Sequence, residues 1–169
     1  MADKVFNVLF LCTANSSRSI MAESILNAEG KGRFRAFSAG TNPVGQVHPW
    51  AIRTLEALGY PSSGFSSKGW EVFAEPGAPH MDFIFTVCDD AAGEACPVWP
   101  GHPESAHWGI ENPATVEGSE IDKGRAFATA ARYLKNRILL FVNLPLATID
   151  RLTLKSKLEE IGQALPKAS

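Results

Sequence analysis

Val8-Leu9-Phe10-Leu11-Cys12-Thr13-Ala14-Asn15-Ser16-Ser17-Arg18-Ser19 is the stretch on which the fold turns. The apolar run before Cys12 reads as the end of a buried strand, and the apolar positions after Ser19 (Ile20, Met21, Ala22, Ile25, Leu26) follow helical spacing. Between them lie small polar residues that let the chain curl until its backbone N–H groups point inward. A strand, a tight polar loop and a helix N-terminus concentrate positive potential at one point, and Arg18 adds a guanidinium there. The same features lower a thiol pKa, so Cys12 is expected to be largely thiolate at neutral pH. Cys12 and Arg18 are therefore the candidate reacting pair. The loop residues Thr13, Ala14, Asn15, Ser16, Ser17 and Ser19 complete an oxyanion site. A merely buried structural cysteine would leave that spacing and filling to coincidence.

Outward from this unit the pattern alternates. Val5–Leu11, Arg33–Ser38 and Asp82–Val87 read as strands, and Ser105–Gly109 as a short fourth. Helical spacing covers Ser19 to about Ala28, Pro49–Leu58 closed by Gly59, a short piece at Trp70–Phe73, Glu120 to about Phe141, and about Ile149 to Leu165. The expected class is α/β: a single domain with a central four-stranded parallel sheet and helices on both faces. That domain is expected over residues 1–145. A C-terminal helical extension, 146–169, would pack on it or, as a homodimer contact, on a second subunit. Ligands of such sheets lie at the carboxyl ends of strands, where both Cys12 and Cys88 fall. Residues 89–113 form a long connection carrying four of the eleven prolines, and loops of that length are usually functional.

Composition narrows the function. The chain has 169 residues, a net charge of −2 and ordinary apolar and charged fractions, so neither nucleic acid nor a membrane surface is an expected partner. No apolar run is long enough to span a bilayer, and the N-terminus does not read as a cleavable signal. A cytoplasmic location is expected. Three cysteines, Cys12, Cys88 and Cys96, are an odd number that suits redox or nucleophilic roles better than a static disulfide framework. Zinc at Cys88, Cys96, His102 and His107 is a rival, but the spacing lacks the short Cys-x2–4-Cys hook of structural zinc sites. His48 and His80, each beside a proline, read as surface loop residues.

The run Cys12 to Ser19, with Asn15 inside it, resembles the phosphate-binding loop of low-molecular-weight protein tyrosine phosphatases. With Val87-Cys88-Asp89-Asp90 through Cys96-Pro97, His107-Trp108-Gly109 and Asn112-Pro113-Ala114, the chain is more specifically similar to the arsenate reductases built on that fold. The resemblance runs from Val5 to near Phe141. It implies a three-thiol relay. Cys12 would attack arsenate held by the loop amides and Arg18. Cys88 would attack the Cys12 sulfur, releasing arsenite and leaving a disulfide. Cys96 would carry that disulfide to the surface as Cys88–Cys96, for reduction by an external thioredoxin-like or glutaredoxin-like protein. No bound cofactor is implied. Eight positions of ideal helix span about 12 Å at ~1.5 Å per residue, and a disulfide needs Cα atoms within about 7 Å. The 88–96 segment is therefore expected to refold on oxidation.

The resemblance also assigns supporting residues. Asn15 would brace the loop from a left-handed conformation, and the Ser19 hydroxyl would bond the Cys12 thiolate. Asn15, Glu23 and Ser38 match positions that hold a structural potassium ion in some relatives. The remaining acidic ligand, sought near Gly69–Glu71, has no assigned position, and no resident metal is expected. Two departures stand out. Ser17 replaces a cysteine that many thioredoxin-coupled relatives carry before the arginine. Asn112 replaces the aspartate that serves as general acid, and an amide cannot donate that proton. Glu111 is the adjacent ionisable residue. Phosphatase action on aryl phosphates, with redox-regulated cysteines, is the rival activity, and Asn112 counts against it.

Overall fold

The computed structural model describes residues 5–87 and 103–163. Cys88 and Cys96, with the expected refolding of the segment between them, lie outside the described residues, as do His102 and Trp99. Four strands, β1 (Phe6–Cys12), β2 (Phe34–Gly40), β3 (Phe83–Thr86) and β4 (Glu104–His107), form one sheet in the order β2-β1-β3-β4. Every pairing is parallel. Helices α1 (Arg18–Glu29), α2 (Pro49–Leu58), α3 (Glu71–Ala74), α4 (Glu120–Val142) and α5 (Arg151–Gln163) surround it, as expected for the class. No helix among the described residues is long and apolar enough to cross a membrane.

β1 is the central strand, and its period of two divides the core. Val8, Phe10 and Cys12 belong to the larger cluster with α1, α4 and α5, while Leu9 and Leu11 belong to a smaller one with Phe73, Met81 and Ile84. The larger cluster is built on aromatics. Trp108 stacks on Phe85 at 3.7 Å between centroids, and Phe141 meets Phe34 at 5.1 Å and Phe83 at 5.0 Å. Aromatic burial of this kind contributes large apolar areas and directional packing.

The helix ends follow their sequence signals. Gly59 stops α2 at φ 81°, a left-handed conformation that suits glycine. Ser119 and Asp122 form a reciprocal capping box on α4. α5 buries Leu158 and Ile161 and lies against β4, and the Trp108 indole N–H donates to the Leu158 carbonyl at 3.0 Å. Its Gly162 sits directly over the His107 carbonyl and the Trp108 ring, where a Cβ would collide with both. His48 is more than a surface loop residue: it is the N-cap of α2, accepts from the Trp50 N–H at 3.1 Å and packs 4.9 Å from Phe127.

Candidate active site

β1 delivers Cys12 at its carboxyl end, paired with Gly40 and 3% exposed. The loop after it is held by its carbonyls. Those of Cys12, Thr13, Ala14 and Ser16 accept from the N–H groups of Thr41, Asn42, Val44 and His48 at 2.8–3.1 Å, and the Ser17 carbonyl accepts from Met21 at 2.8 Å. In a trans peptide the N–H of the next residue points opposite to the carbonyl. The amides of Thr13, Ala14, Asn15, Ser17 and Arg18 thus face the concave side of the curl. Segment 41–48 is the outer wall that forces this. It carries no periodicity, and sequence reasoning missed its role.

Asn15 adopts φ 48°, the left-handed conformation expected of it. Its Nδ2 donates to Ser19 Oγ at 2.8 Å, and its Oδ1 accepts from the Lys68 N–H at 2.9 Å. The Ser19 oxygen thus accepts from Asn15, which leaves its O–H as the donor that the role expected toward Cys12 requires. Gly40 makes the curl possible from the β2 side. A Cβ there would stand 2.5 Å from the Thr13 carbonyl oxygen and 3.0 Å from the Asn15 Cβ. A glycine ending a strand beside the loop strand was the available signal.

The N-terminus of α1 is left open for an anion. Ser17 makes no side-chain cap, and the first turn holds no acidic residue, in contrast to the boxed end of α4. Arg18, 9% exposed, sends Nη1 to the Ile110 carbonyl at 2.8 Å, and its Nε has no partner among the described residues. The Ile110 carbonyl is a second anchor that the linear pattern could not reveal, 92 residues away. Asn112 lies two residues beyond Ile110, and its Oδ1 accepts from the Ala114 N–H at 3.0 Å, capping a short 3-10 turn at Pro113–Thr115. Glu111 is exposed.

Glu23, Ser38 and Asn15 gather beneath the loop. Ser38 Oγ donates to Glu23 Oε1 at 2.6 Å, and Lys68 Nζ stands 4.0 Å from the same oxygen. Burial pushes the Glu23 carboxyl above its ordinary value, opposed by the Ser38 hydrogen bond and the Lys68 charge. Burial pushes the Lys68 ammonium down, with Glu23 opposing. A cation is thus already supplied by the chain at the positions matched to a potassium site. Ser38 Oγ is engaged by Glu23, and Asn15 Oδ1 by the Lys68 backbone N–H. Among the described residues no group of three or more His, Cys, Asp or Glu could hold a metal ion.

Val87 connects β3 to this site. Its N–H donates to the Leu11 carbonyl at 2.9 Å, so the chain enters Cys88 from a residue bonded to the one preceding Cys12.

Residues 7–143 match the family model described as low molecular weight phosphotyrosine protein phosphatase. An arsenate reductase of Bacillus subtilis (strain 168) is 31% identical over 134 residues, 79% of this chain and 93% of that protein. One of Bacillus licheniformis is 33% identical over 135 residues, with the same shares covered. The crystal structure of an arsenate reductase from Archaeoglobus fulgidus is 30% identical, with a TM-score of 0.57 over 78% of this chain and 98% of that one. The chain belongs to the low molecular weight phosphotyrosine protein phosphatase family, where its relatives include arsenate reductases.

Proposed function

We propose that this chain reduces arsenate to arsenite by a relay through Cys12, Cys88 and Cys96. The observation that carries the reading is the pairing of two strand ends. Cys12 closes β1 inside a loop of inward amides, and Val87, one residue before Cys88, is bonded to the neighbouring backbone of Leu11. The chain therefore reaches Val87, the residue before Cys88, alongside the strand that ends in Cys12.

Arsenate enters the curl with its oxygens on the amides of Thr13, Ala14, Asn15, Ser17 and Arg18 and on the Arg18 guanidinium. The Cys12 thiolate attacks arsenic and an oxygen leaves as water, forming a Cys12 S–As(V) bond. The Cys88 thiolate then attacks the Cys12 sulfur. The S–As electron pair passes to arsenic, which departs as arsenite, and a Cys12–Cys88 disulfide remains. Cys96 attacks Cys88, returning Cys12 to the thiolate and leaving Cys88–Cys96. A dithiol protein of the thioredoxin or glutaredoxin class reduces that disulfide and becomes oxidised in its place.

Asn112 supports reduction over phosphate ester hydrolysis. Its carboxamide has no acidic proton, and its oxygen is committed to the Ala114 N–H. Water and hydroxide leave arsenate far more readily than an alkoxide leaves a phosphate ester. The test is arsenate-dependent NADPH consumption with thioredoxin and its reductase, and separately with glutaredoxin and glutathione, beside p-nitrophenyl phosphate hydrolysis. Sustained consumption with negligible hydrolysis is expected. Brisk hydrolysis with no consumption in either system would make the chain a phosphatase.

A further inference from the structure

Among the described residues, three buried side-chain polar atoms have no hydrogen-bond partner: Thr41 Oγ1, Arg18 Nε and Arg137 Nε. The two arginines share more than this. Each is at least nine-tenths buried, each uses Nη1 on backbone carbonyls, and neither has a carboxylate of the described residues within ion-pair distance. A buried guanidinium without a counter-ion is costly, and an anion arriving from outside would offset that cost. For Arg18 that anion is the oxyanion of the loop. Arg137 lies elsewhere, on α4, and has no role in the chemistry proposed above.

Arg137 lines a cavity of about 430 Å³ between α4 and the 109–116 segment, within the range of small-molecule sites. Ile110, Pro113, Val116 and Ala130 give it apolar walls, and Thr129 and Tyr133 bring hydroxyls from the same helix face as Arg137. Arg125 and Glu111, both exposed, also line it and carry opposite charges, so Arg137 supplies the net positive charge. Burial pushes the Arg137 guanidinium down, with Tyr133 opposing.

The cavity is wired to the loop. Arg137 Nη1 holds the carbonyls of Trp108 at 3.0 Å and Gly109 at 2.9 Å. The next residue, Ile110, gives its N–H to the Val87 carbonyl at 3.1 Å and receives Arg18 Nη1 at 2.8 Å. Whatever draws Arg137 toward the cavity loosens the turn that fixes Arg18.

We propose that this cavity binds a small organic carboxylate, its charge on Arg137 and its apolar body against Ile110, Pro113 and Val116, and that occupancy shifts Arg18 through the 108–110 turn. Benzoate is the probe, titrated into the full-length reduced protein and followed by the arginine Nε–Hε and backbone amide resonances. Saturable shifts are expected at Arg137 and at the amides of 110–113 and 129–133, with the Arg18 Nε–Hε signal moving at the same midpoint. Arg137→Met should weaken binding about tenfold or more, the loss of a charge-assisted hydrogen bond. Because Arg137→Met also removes a brace of the turn, Ala126→Phe is the second variant: it fills the cavity from α4 and keeps every Arg137 hydrogen bond. It should weaken binding to a similar degree while the Arg137 and Arg18 signals of the unliganded protein stay in place. Shifts confined to residues 12–19, no saturable shift, or cavity shifts that persist undiminished in both variants would overturn the proposal.

Discussion

Arg18 Nη1 donates a 2.8 Å hydrogen bond to the Ile110 carbonyl, tying the first residue of α1 to the segment that leads to Asn112. One arm of the guanidinium is thereby fixed and its other donors are aimed before substrate arrives. Lysine has a single ammonium on a flexible stem and cannot hold a carbonyl and clamp an oxyanion at once. Arg18→Lys should raise KM for arsenate and lower turnover, together by about 10²- to 10³-fold, with Tm nearly unchanged. Steady-state kinetics beside thermal unfolding checks this; near-native kinetics would mean that the loop amides suffice.

Gly40 presses on the loop from β2. A methyl group there, 2.5 Å from the Thr13 oxygen and 3.1 Å from the Asn15 nitrogen, meets backbone of the curl, so something must shift. Gly40→Ala should cut kcat/KM for arsenate at least about tenfold while costing stability in the range of about 1–3 kcal/mol. Reactivity of Cys12 toward iodoacetamide at neutral pH, compared with wild type, would show whether the amide array has been disturbed.

Asn112→Asp tests the missing acid. Aspartate retains the oxygen that caps Ala114, so the 3-10 turn at Pro113–Thr115 should be preserved. p-Nitrophenyl phosphate hydrolysis should rise by about 10²-fold or more, the usual worth of general acid catalysis. Arsenate reduction should change little. Unchanged hydrolysis would place the barrier elsewhere than in leaving-group protonation.

Glu23 makes a prediction with a definite sign. Its folded carboxyl lies above the ordinary value of 4.5, chiefly because of burial. The folded chain therefore holds this proton more tightly than the unfolded chain. The associated stability is complete below pH 4.5 and is lost as pH rises through the raised value. Glutamine keeps an acceptor for Ser38 without the charge. Tm of Glu23→Gln relative to wild type, followed from about pH 4 to 8, should improve with rising pH. A relative Tm that falls with pH would mean that Lys68 pairs with Glu23 more strongly than it costs to bury the two.

The C-terminal helix docks at Gly162. Gly162→Ala would drive a Cβ into the His107 carbonyl and the Trp108 ring. Displacing α5 there exposes Leu158 and strains the 3.0 Å bond to the Trp108 indole. Unfolding in urea should show a loss of about 1–3 kcal/mol.

Much of this fold was legible because local pattern and tertiary role agree. The apolar run before Cys12 is a strand paired on both sides, and Pro49–Leu58 with Gly59 is a helix with its stop. Strand ends were less legible. β2 runs on to Gly40, past the expected end at Ser38, because Gly40 pairs with Cys12 across the sheet, a relation no local pattern records. In the site, Cys12 and Arg18 were readable from their spacing, and Asn15 from the family resemblance. Lys68, Ile110 and Arg137 were not. Lys68 and Ile110 act largely through backbone groups, and Arg137 sits on a helix where a charged residue ordinarily faces water.

The relay itself is tested most directly by Cys96→Ser. The reduced variant is mixed with arsenate and thioredoxin system, the arsenite released is counted, and the protein is digested under acid quench for disulfide mapping. The relay predicts one arsenite per chain, then arrest, with Cys12 and Cys88 recovered as a disulfide. Continued turnover, or arsenite release with no Cys12–Cys88 disulfide, would contradict it.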